Sequence, residues 1–375
     1  VWERIINEDK LMPALDKITI KGFKSIMSLE GFELKPLNIL IGANGAGKSN
    51  FIGVFKLLNE IVQENLQVYI GKSGGADQLL HYGHKMTEAI YIHLQFGQNA
   101  YECTLTAAGD SLIFEEENVY FYIPDKYPSP YRKSLRTGYK ESVLPERAEE
   151  REAIALHVLA AMQGWKIYHF HDTGESAKIK KLCDLGDNRM LRPDASNLAA
   201  YLYLLKEKDP QYYRNICDII RLVAPFFGDF ALRPSPLNPD KIKLEWTEKG
   251  SDAYFDANSL SDGTLRFIAL ATLLTQPDLP QTILLDEPEL GLHPYAITVL
   301  AGMLKSATTK TQIVVSTQSV TLVNQFDPED IVVVDRKDGQ STFKRPTKEE
   351  IEGWLDDYSL GELWEKNLIG GRPTP

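Results

Sequence analysis

The stretch from Leu37 to Phe51, LNILIGANGAGKSNF, constrains the chain more than any other. Leu37, Ile39 and Ile41 alternate like a buried strand, Gly42–Ser49 fit the spacing G-x-x-x-x-G-K-[ST], and the pattern turns helical from Asn50. Strand, loop and helix in that order predict a phosphate-binding loop. Gly42, Gly45 and Gly47 admit positive φ, and together with Asn44, Ala46 and Asn50 they set backbone N–H groups around an anion at a helix N-terminus. Lys48 is expected to reach the β- and γ-phosphates of a nucleoside triphosphate, and Ser49 to offer its hydroxyl to Mg²⁺.

A second constraint comes from Thr282–Glu289, where four largely apolar residues lead into Asp286-Glu287. An acid at a buried strand's end is placed to hold a metal's water shell, and its neighbour to polarise an attacking water. The third is Leu260-Ser261-Asp262-Gly263-Thr264, a serine and a glycine opening a helix, which is a further anion-binding arrangement. Thr264 stands 22 residues before Asp286.

Between these motifs the chain divides into four parts. Residues 1–16 read as a tail. Residues 17–135 hold two strands before the loop (around Lys17–Lys21 and Met27–Leu34), the loop and its helix, and an antiparallel meander of Ala89–Phe96, Ala100–Leu105 and Ser111–Ile123. Residues 136–228 form an inserted helical arm, with one long helix from Pro145 to Met162 capped by Gly164, a strand at Trp165–Asp172, and helices at Asn197–Lys206 and Tyr212–Val223. Residues 229–375 return to strands alternating with helices, the pattern of a parallel sheet covered on both faces. Asp125–Lys140, with five basic residues against one acid, reads as an exposed connector.

The 375 residues are 43% hydrophobic and carry a net charge of -11, which suits a well-cored globular protein and restricts any nucleic-acid contact to a local patch. Cys103, Cys183 and Cys217 are too few and too scattered for a disulfide framework, so a reducing cytoplasm is expected. No apolar run is long enough for a membrane span.

IKGFKSI, GANGAGKSN, LSDGT, LLDEPELGLHP and VVSTQS together resemble the RecF/SMC/OLD branch of ABC-type ATPases, in particular small bacterial AAA-family ATPases with an ABC-like head. The resemblance implies an α/β P-loop NTPase with ATP and Mg²⁺ as cofactors. It also implies a head-to-head homodimer, with ATP between the loop of one copy and the signature of the other. Gly45, Gly47, Lys48 and Ser49 then bind ATP in cis, Ser261 and Gly263 close on the γ-phosphate in trans, Leu290–His293 forms the D-loop, and Glu287 is the base. Lys24 matches a basic residue near the nucleotide, Gln78 is the candidate for the Mg²⁺-side glutamine, and Gln318 stands where many relatives carry a histidine. Gln318 cannot become a cation, so slow or gated hydrolysis is expected. No heptad rod is present, and the stretch after Ser319 is too short for the nuclease domain of OLD proteins. The resemblance implies DNA-related work such as repair, recombination or anti-phage defence, with Arg132, Lys133 and Arg136 as the candidate DNA contacts. The alternative is an ATP-gated scaffold restraining a separate nuclease or toxin effector.

His169 and His171, two apart on a strand, are weighed as metal ligands and set aside in favour of ordinary half-buried strand histidines for want of a third ligand. Gly353–Pro373 reads as an amphipathic segment packed on the core or docking a partner.

Overall fold

The computed structural model describes residues 14–124 and 126–371. The predicted tail at 1–16 therefore falls mostly outside the described residues, as do Asp125 at the start of the connector and the end of the C-terminal segment.

The first sheet is antiparallel. Strands β1 (Lys17–Phe23) and β2 (Ile26–Glu33) precede β3 (Leu37–Ile41) and helix α1 (Lys48–Val62); β4 (Ala89–Phe96), β5 (Asn99–Ala108) and β6 (Ser111–Phe121) form the meander. The order is β2-β1-β4-β5-β6-β7, where β7 (Tyr131–Ser134) lies inside the predicted connector. That connector is therefore partly an edge strand: Tyr131 pairs with Phe121 and Ser134 with Asn118. Its cations gave it the look of a solvated linker, but edge strands commonly carry such charges.

The second sheet contains β3, β8 (Trp165–Tyr168), β9 (Thr282–Asp286), β10 (Gln312–Thr317), β11 (Ile331–Lys337) and β12 (Gln340–Lys344). Its order is β12-β11-β3-β10-β9-β8. All neighbours are parallel except the β11–β12 hairpin. Side-chain alternation assigns each strand to two cores. Leu37, Ile39 and Ile41 of β3, Ile283 and Leu285 of β9, and Ile313 and Val315 of β10 face one core. Leu40, Leu284 and Val314 face the other, shared with α1 and the meander. Period-two burial on both faces accounts for the unbroken apolar runs in the sequence.

The inserted segment contributes to both cores. Helix α2 (Ala153–Gln163) packs with the meander core, while α3 (Leu198–Lys208) and α4 (Pro210–Val223) join the opposite one beside α5 (Asp262–Thr275) and α6 (Pro294–Ala307). The single helix expected from Pro145 to Met162 is two, Leu144–Glu149 and α2, because Arg151 takes φ 62° between them. A non-glycine residue in that region breaks the helical ladder. The predicted strand at Trp165–Asp172 is shorter and parallel to β9.

Trp165 anchors this arrangement: it is 1% exposed, with its ring 5.1 Å from Phe55 and 5.8 Å from Phe96. Trp165→Ala is expected to destabilise the protein by about 3–5 kcal/mol in chemical denaturation, through the cavity left between α1, β4 and β8. Leu360, Leu363 and Trp364 are buried in the core opposite the meander, so that much of the C-terminal segment packs on the head; Trp354 stays 46% exposed.

Candidate nucleotide site

The carboxyl ends of β3, β8, β9 and β10 lie side by side, so the residues following each strand gather along one edge. Ligands of open parallel sheets bind at that edge. After β3 the backbone turns through Gly42 (φ 157°), Gly45 (φ 77°) and Gly47 (φ 118°) into α1. Gly47 cannot be replaced freely, since a Cβ there would lie 2.0 Å from the Ser341 hydroxyl. That hydroxyl, on β12, donates to the carbonyl of Ala46 at 2.5 Å and bonds the Ser25 hydroxyl at 2.7 Å, which in turn accepts from the Asn50 amide at 2.7 Å. A hairpin about 300 residues away in sequence thereby holds the loop's shape. No local pattern announces Ser341.

Lys48 is 5% exposed, and its ammonium donates to the carbonyls of Gly42 at 2.6 Å and Ala43 at 3.0 Å. Burial pulls its pKa below the ordinary lysine value, opposed by the negative charges of Glu287, Asp286 and Glu289. The Ser49 hydroxyl lies 3.5 Å from Asp286 Oδ1, an oxygen that also accepts a short bond from Ser316. Phosphate loop and strand-end acid therefore meet, although they are separated by 237 positions. Open space surrounds Gly45, where a Cβ would meet nothing within 4 Å. Glycine-lined backbone, a buried cation and a hydroxyl–carboxylate pair make a donor set that fits a triphosphate with Mg²⁺.

Glu287 adopts φ 43°, unusual for a side-chain-bearing residue, and its backbone N–H donates to Ser316 O at 2.8 Å. Gln318, at the end of β10, donates its amide N–H to Glu287 Oε1 in a short bond. The expected base and the glutamine that stands where many relatives carry a histidine are thus in direct contact. Glu289 lies two residues beyond Glu287 in the same motif. It is 8% exposed, accepts a short bond from Thr317 and has its second oxygen buried without a partner. Burial raises its pKa. Its role depends on a partner 28 residues away, which the local sequence does not reveal.

The segment Leu260–Thr264, expected to act as a signature, lies elsewhere, at the N-terminus of α5. Ser261 caps that helix, accepting from Thr264 N at 3.1 Å, and it is solvent-exposed. Gly263 packs against the D-loop so closely that a Cβ would lie 2.4 Å from Gly291 O. The exposed Ser261 hydroxyl also bonds the Thr264 hydroxyl at 2.8 Å.

Lys24 (φ 47°) and Gln78 share an open cavity of about 510 Å³ with Ser25, Asn50, His81 and Arg336. Lys24 and Asn50 are thus brought together beside the loop's helix. Gln78 lines this cavity and not the crevice that contains Asp286 and Glu287. Burial and the nearby Lys56 lower the pKa of Lys24. At the end of β8, His169 has its pKa lowered by burial, against the opposing pull of Asp286. His171 lines the Asp286–Glu287 crevice.

The three candidate DNA cations are each ion-paired. Arg132 meets Glu116 at 2.9 Å, Lys133 meets Glu152 at 2.6 Å, and Arg136 meets Glu146 at 3.9 Å. The Arg132 and Arg136 pairs are exposed, whereas Glu152 is half-buried.

No curated protein matches the chain. Among solved structures it is similar to an SMC head bound to the C-terminal winged-helix domain of ScpA, with 17% identity over 91% of this chain and 100% of the other, at TM-score 0.56. It is likewise similar to an SMC head domain with an extended coiled coil, bound to the C-terminal domain of ScpA and derived from Pyrococcus furiosus: 16% identity, 92% and 99% coverage, TM-score 0.52. These likenesses concern the fold. The family described as "AAA domain, putative AbiEii toxin, Type IV TA system" matches residues 37–324, well over half of the chain. The protein belongs to that AAA-domain family, and its fold is that of the SMC head domains.

Proposed function

We propose that the protein binds and hydrolyses ATP between two copies of itself and uses that ATP-dependent clamp to control a further activity. The observation that carries this reading is the convergence of Lys48, Ser49, Asp286, Glu287 and Gln318 on one edge while Ser261 is exposed to solvent. Backbone N–H groups of Gly42–Ser49 and the Lys48 ammonium bind the phosphates; Asn50 and Lys24 line the neighbouring cavity, where the remainder of the nucleotide is placed. Ser49 and Asp286 would hold Mg²⁺, which would offset phosphate charge. Glu287, oriented by Gln318, takes a proton from the attacking water. Gln318 donates a hydrogen bond but no positive charge, so turnover is slow or gated by dimerisation. Ser261 and Gly263 of the second copy complete the γ-phosphate shell.

Two individually inactive variants test the shared site. Lys48→Ala disables the phosphate loop and Ser261→Arg blocks the signature. If each site takes one half from each copy, mixing equal amounts restores roughly a quarter of wild-type turnover, since half the dimers are mixed and each has one intact site of two. No recovery on mixing would refute the shared site.

The output we assign is DNA-related work in repair, recombination or anti-phage defence in the cytoplasm, where the three free cysteines remain reduced. A second reading, an ATP-gated scaffold that restrains a nuclease or toxin encoded nearby, is favoured by one observation. The candidate DNA cations Arg132, Lys133 and Arg136 are already neutralised by Glu116, Glu152 and Glu146. The toxin–antitoxin description of the family is compatible with it. DNA binding that weakens steeply with salt supports the first reading; ATP-dependent copurification of one protein with no DNA affinity supports the second.

A further inference from the structure

The chain that follows β12 returns to the phosphate loop from the other end of the sequence. Helix α7 (Leu360–Glu365) opens on Ser359, whose hydroxyl accepts from the Glu362 N–H and donates to the Glu362 carboxylate. It lies against the short helix Val320–Val323, which begins directly after Gln318 and Ser319. That contact is close: the Gly361 N–H donates to Asn324 Oδ1 at 2.6 Å, and a Cβ on Gly361 would stand 2.5 Å from Val320 Cγ1. From α7 the backbone crosses to Gly371, the last described residue, at φ 84°. The Gly371 carbonyl accepts from Trp364 Nε1 at 3.3 Å, and its N–H donates to Asp335 Oδ2 of β11 in a long bond of 3.5 Å. A Cβ on Gly371 would lie 3.5 Å from Gly42 Cα. Gly42 has no room toward β11 either, where a Cβ would lie 2.1 Å from Val334 O. The first glycine of the phosphate loop, whose carbonyl accepts from the Lys48 ammonium at 2.6 Å, is therefore packed between β11 and Gly371.

We propose that the segment from α7 to Gly371 positions the phosphate loop for ATP, with Trp364 as the residue that sets it. This rests on the ATP-binding reading above. The Trp364 indole fixes the Gly371 carbonyl, Gly371 closes on Gly42, and the Gly42 carbonyl holds Lys48. Trp364 thus acts through the loop and is a positioning residue. Because α7 is seated on the helix that follows Gln318, the same segment ties together two walls of the site, the loop and the end of β10. A loop whose shape is fixed before the nucleotide arrives spends less binding energy on being ordered. Loosening the segment therefore weakens ATP binding more than it slows the bound enzyme, since bound phosphates order the loop themselves.

Two variants of the whole protein test this. Trp364→Phe keeps a buried ring and removes the N–H donor, while Gly371→Ala puts a methyl group 3.1 Å from the indole nitrogen on a backbone that disfavours it. In each, the dissociation constant for ATPγS and the KM for ATP should rise about five-fold, the loss expected for one hydrogen bond, while kcat at saturating ATP stays within about two-fold of wild type. Trp354→Ala, at the exposed end of the same C-terminal segment, should change neither. A spectroscopic readout separates positioning from mere packing. In protein labelled with 5-fluorotryptophan, the one of five tryptophan resonances that Trp364→Phe removes should shift when ATPγS and Mg²⁺ are added, and shift less in Gly371→Ala. Unchanged affinity in either variant, a loss in kcat as large as the rise in KM, an equal effect in Trp354→Ala, or a Trp364 resonance insensitive to ATPγS overturns the inference and leaves ATP binding standing. A wild-type protein that binds no ATPγS removes the ATP reading instead, and this inference with it.

Discussion

Lys48→Ala should abolish the thermal stabilisation that ATP gives the wild-type protein and lower turnover by about 10²–10³-fold, the usual loss when one preorganised electrostatic contact is removed. Without nucleotide the Lys48 cation is stabilised by only two carbonyls, those of Gly42 and Ala43, and by carboxylates at longer range. Burial depresses its pKa, so at neutral pH the folded state holds a charge that its surroundings disfavour; phosphate oxygens reverse that balance. Alanine removes the mismatch together with the ligand contact. The folded protein should therefore keep close to wild-type stability in the absence of ATP while losing the response to it. Melting curves with and without ATP separate the two effects, and an undiminished ATP shift in Lys48→Ala would contradict the site.

Glu287→Gln is expected to separate binding from chemistry. Glutamine preserves the length of the side chain and keeps an oxygen to accept from Gln318, so the unusual backbone at φ 43° need not change. What disappears is the group that takes a proton, and turnover should drop by about 10²–10⁴-fold. ATP affinity should be maintained or improved, because a negative charge near the γ-phosphate has been removed. Quench-flow or phosphate-release assays measure the first effect and equilibrium binding the second. Glu289, buried against Thr317 with one oxygen unpartnered, remains as a nearby carboxylate. Retained turnover in Glu287→Gln would move the base assignment away from Glu287.

The elements legible in the sequence are those written locally. Gly42–Ser49 sits between a period-two strand and a helix, and Asp286-Glu287 ends an unbroken apolar run, so both motifs could be placed on their elements before any tertiary contact was known. The less legible features depend on distant pairing. Trp165–Tyr168 looks like an ordinary strand within helical sequence; only its register with Thr282–Leu285 makes it part of the sheet that carries the site. Tyr131–Ser134 resembles a solvated linker because edge strands tolerate charge. The bond from Ser341 to Ala46 joins residues 295 apart and leaves no trace in either local pattern. Gln78 follows the same lesson: its loop could be located, but which wall of the site it joins depended on how β1 and α1 pack.

In the proposed function, ATP is held between two copies of the chain. Its most direct test is the mass of Glu287→Gln in solution, measured by light scattering with and without Mg²⁺ and ATP. A monomer without nucleotide should double in mass on adding ATP, with no doubling when Ser261→Arg is added to the same chain. A Glu287→Gln protein saturated with ATP that stays monomeric at every concentration would contradict it.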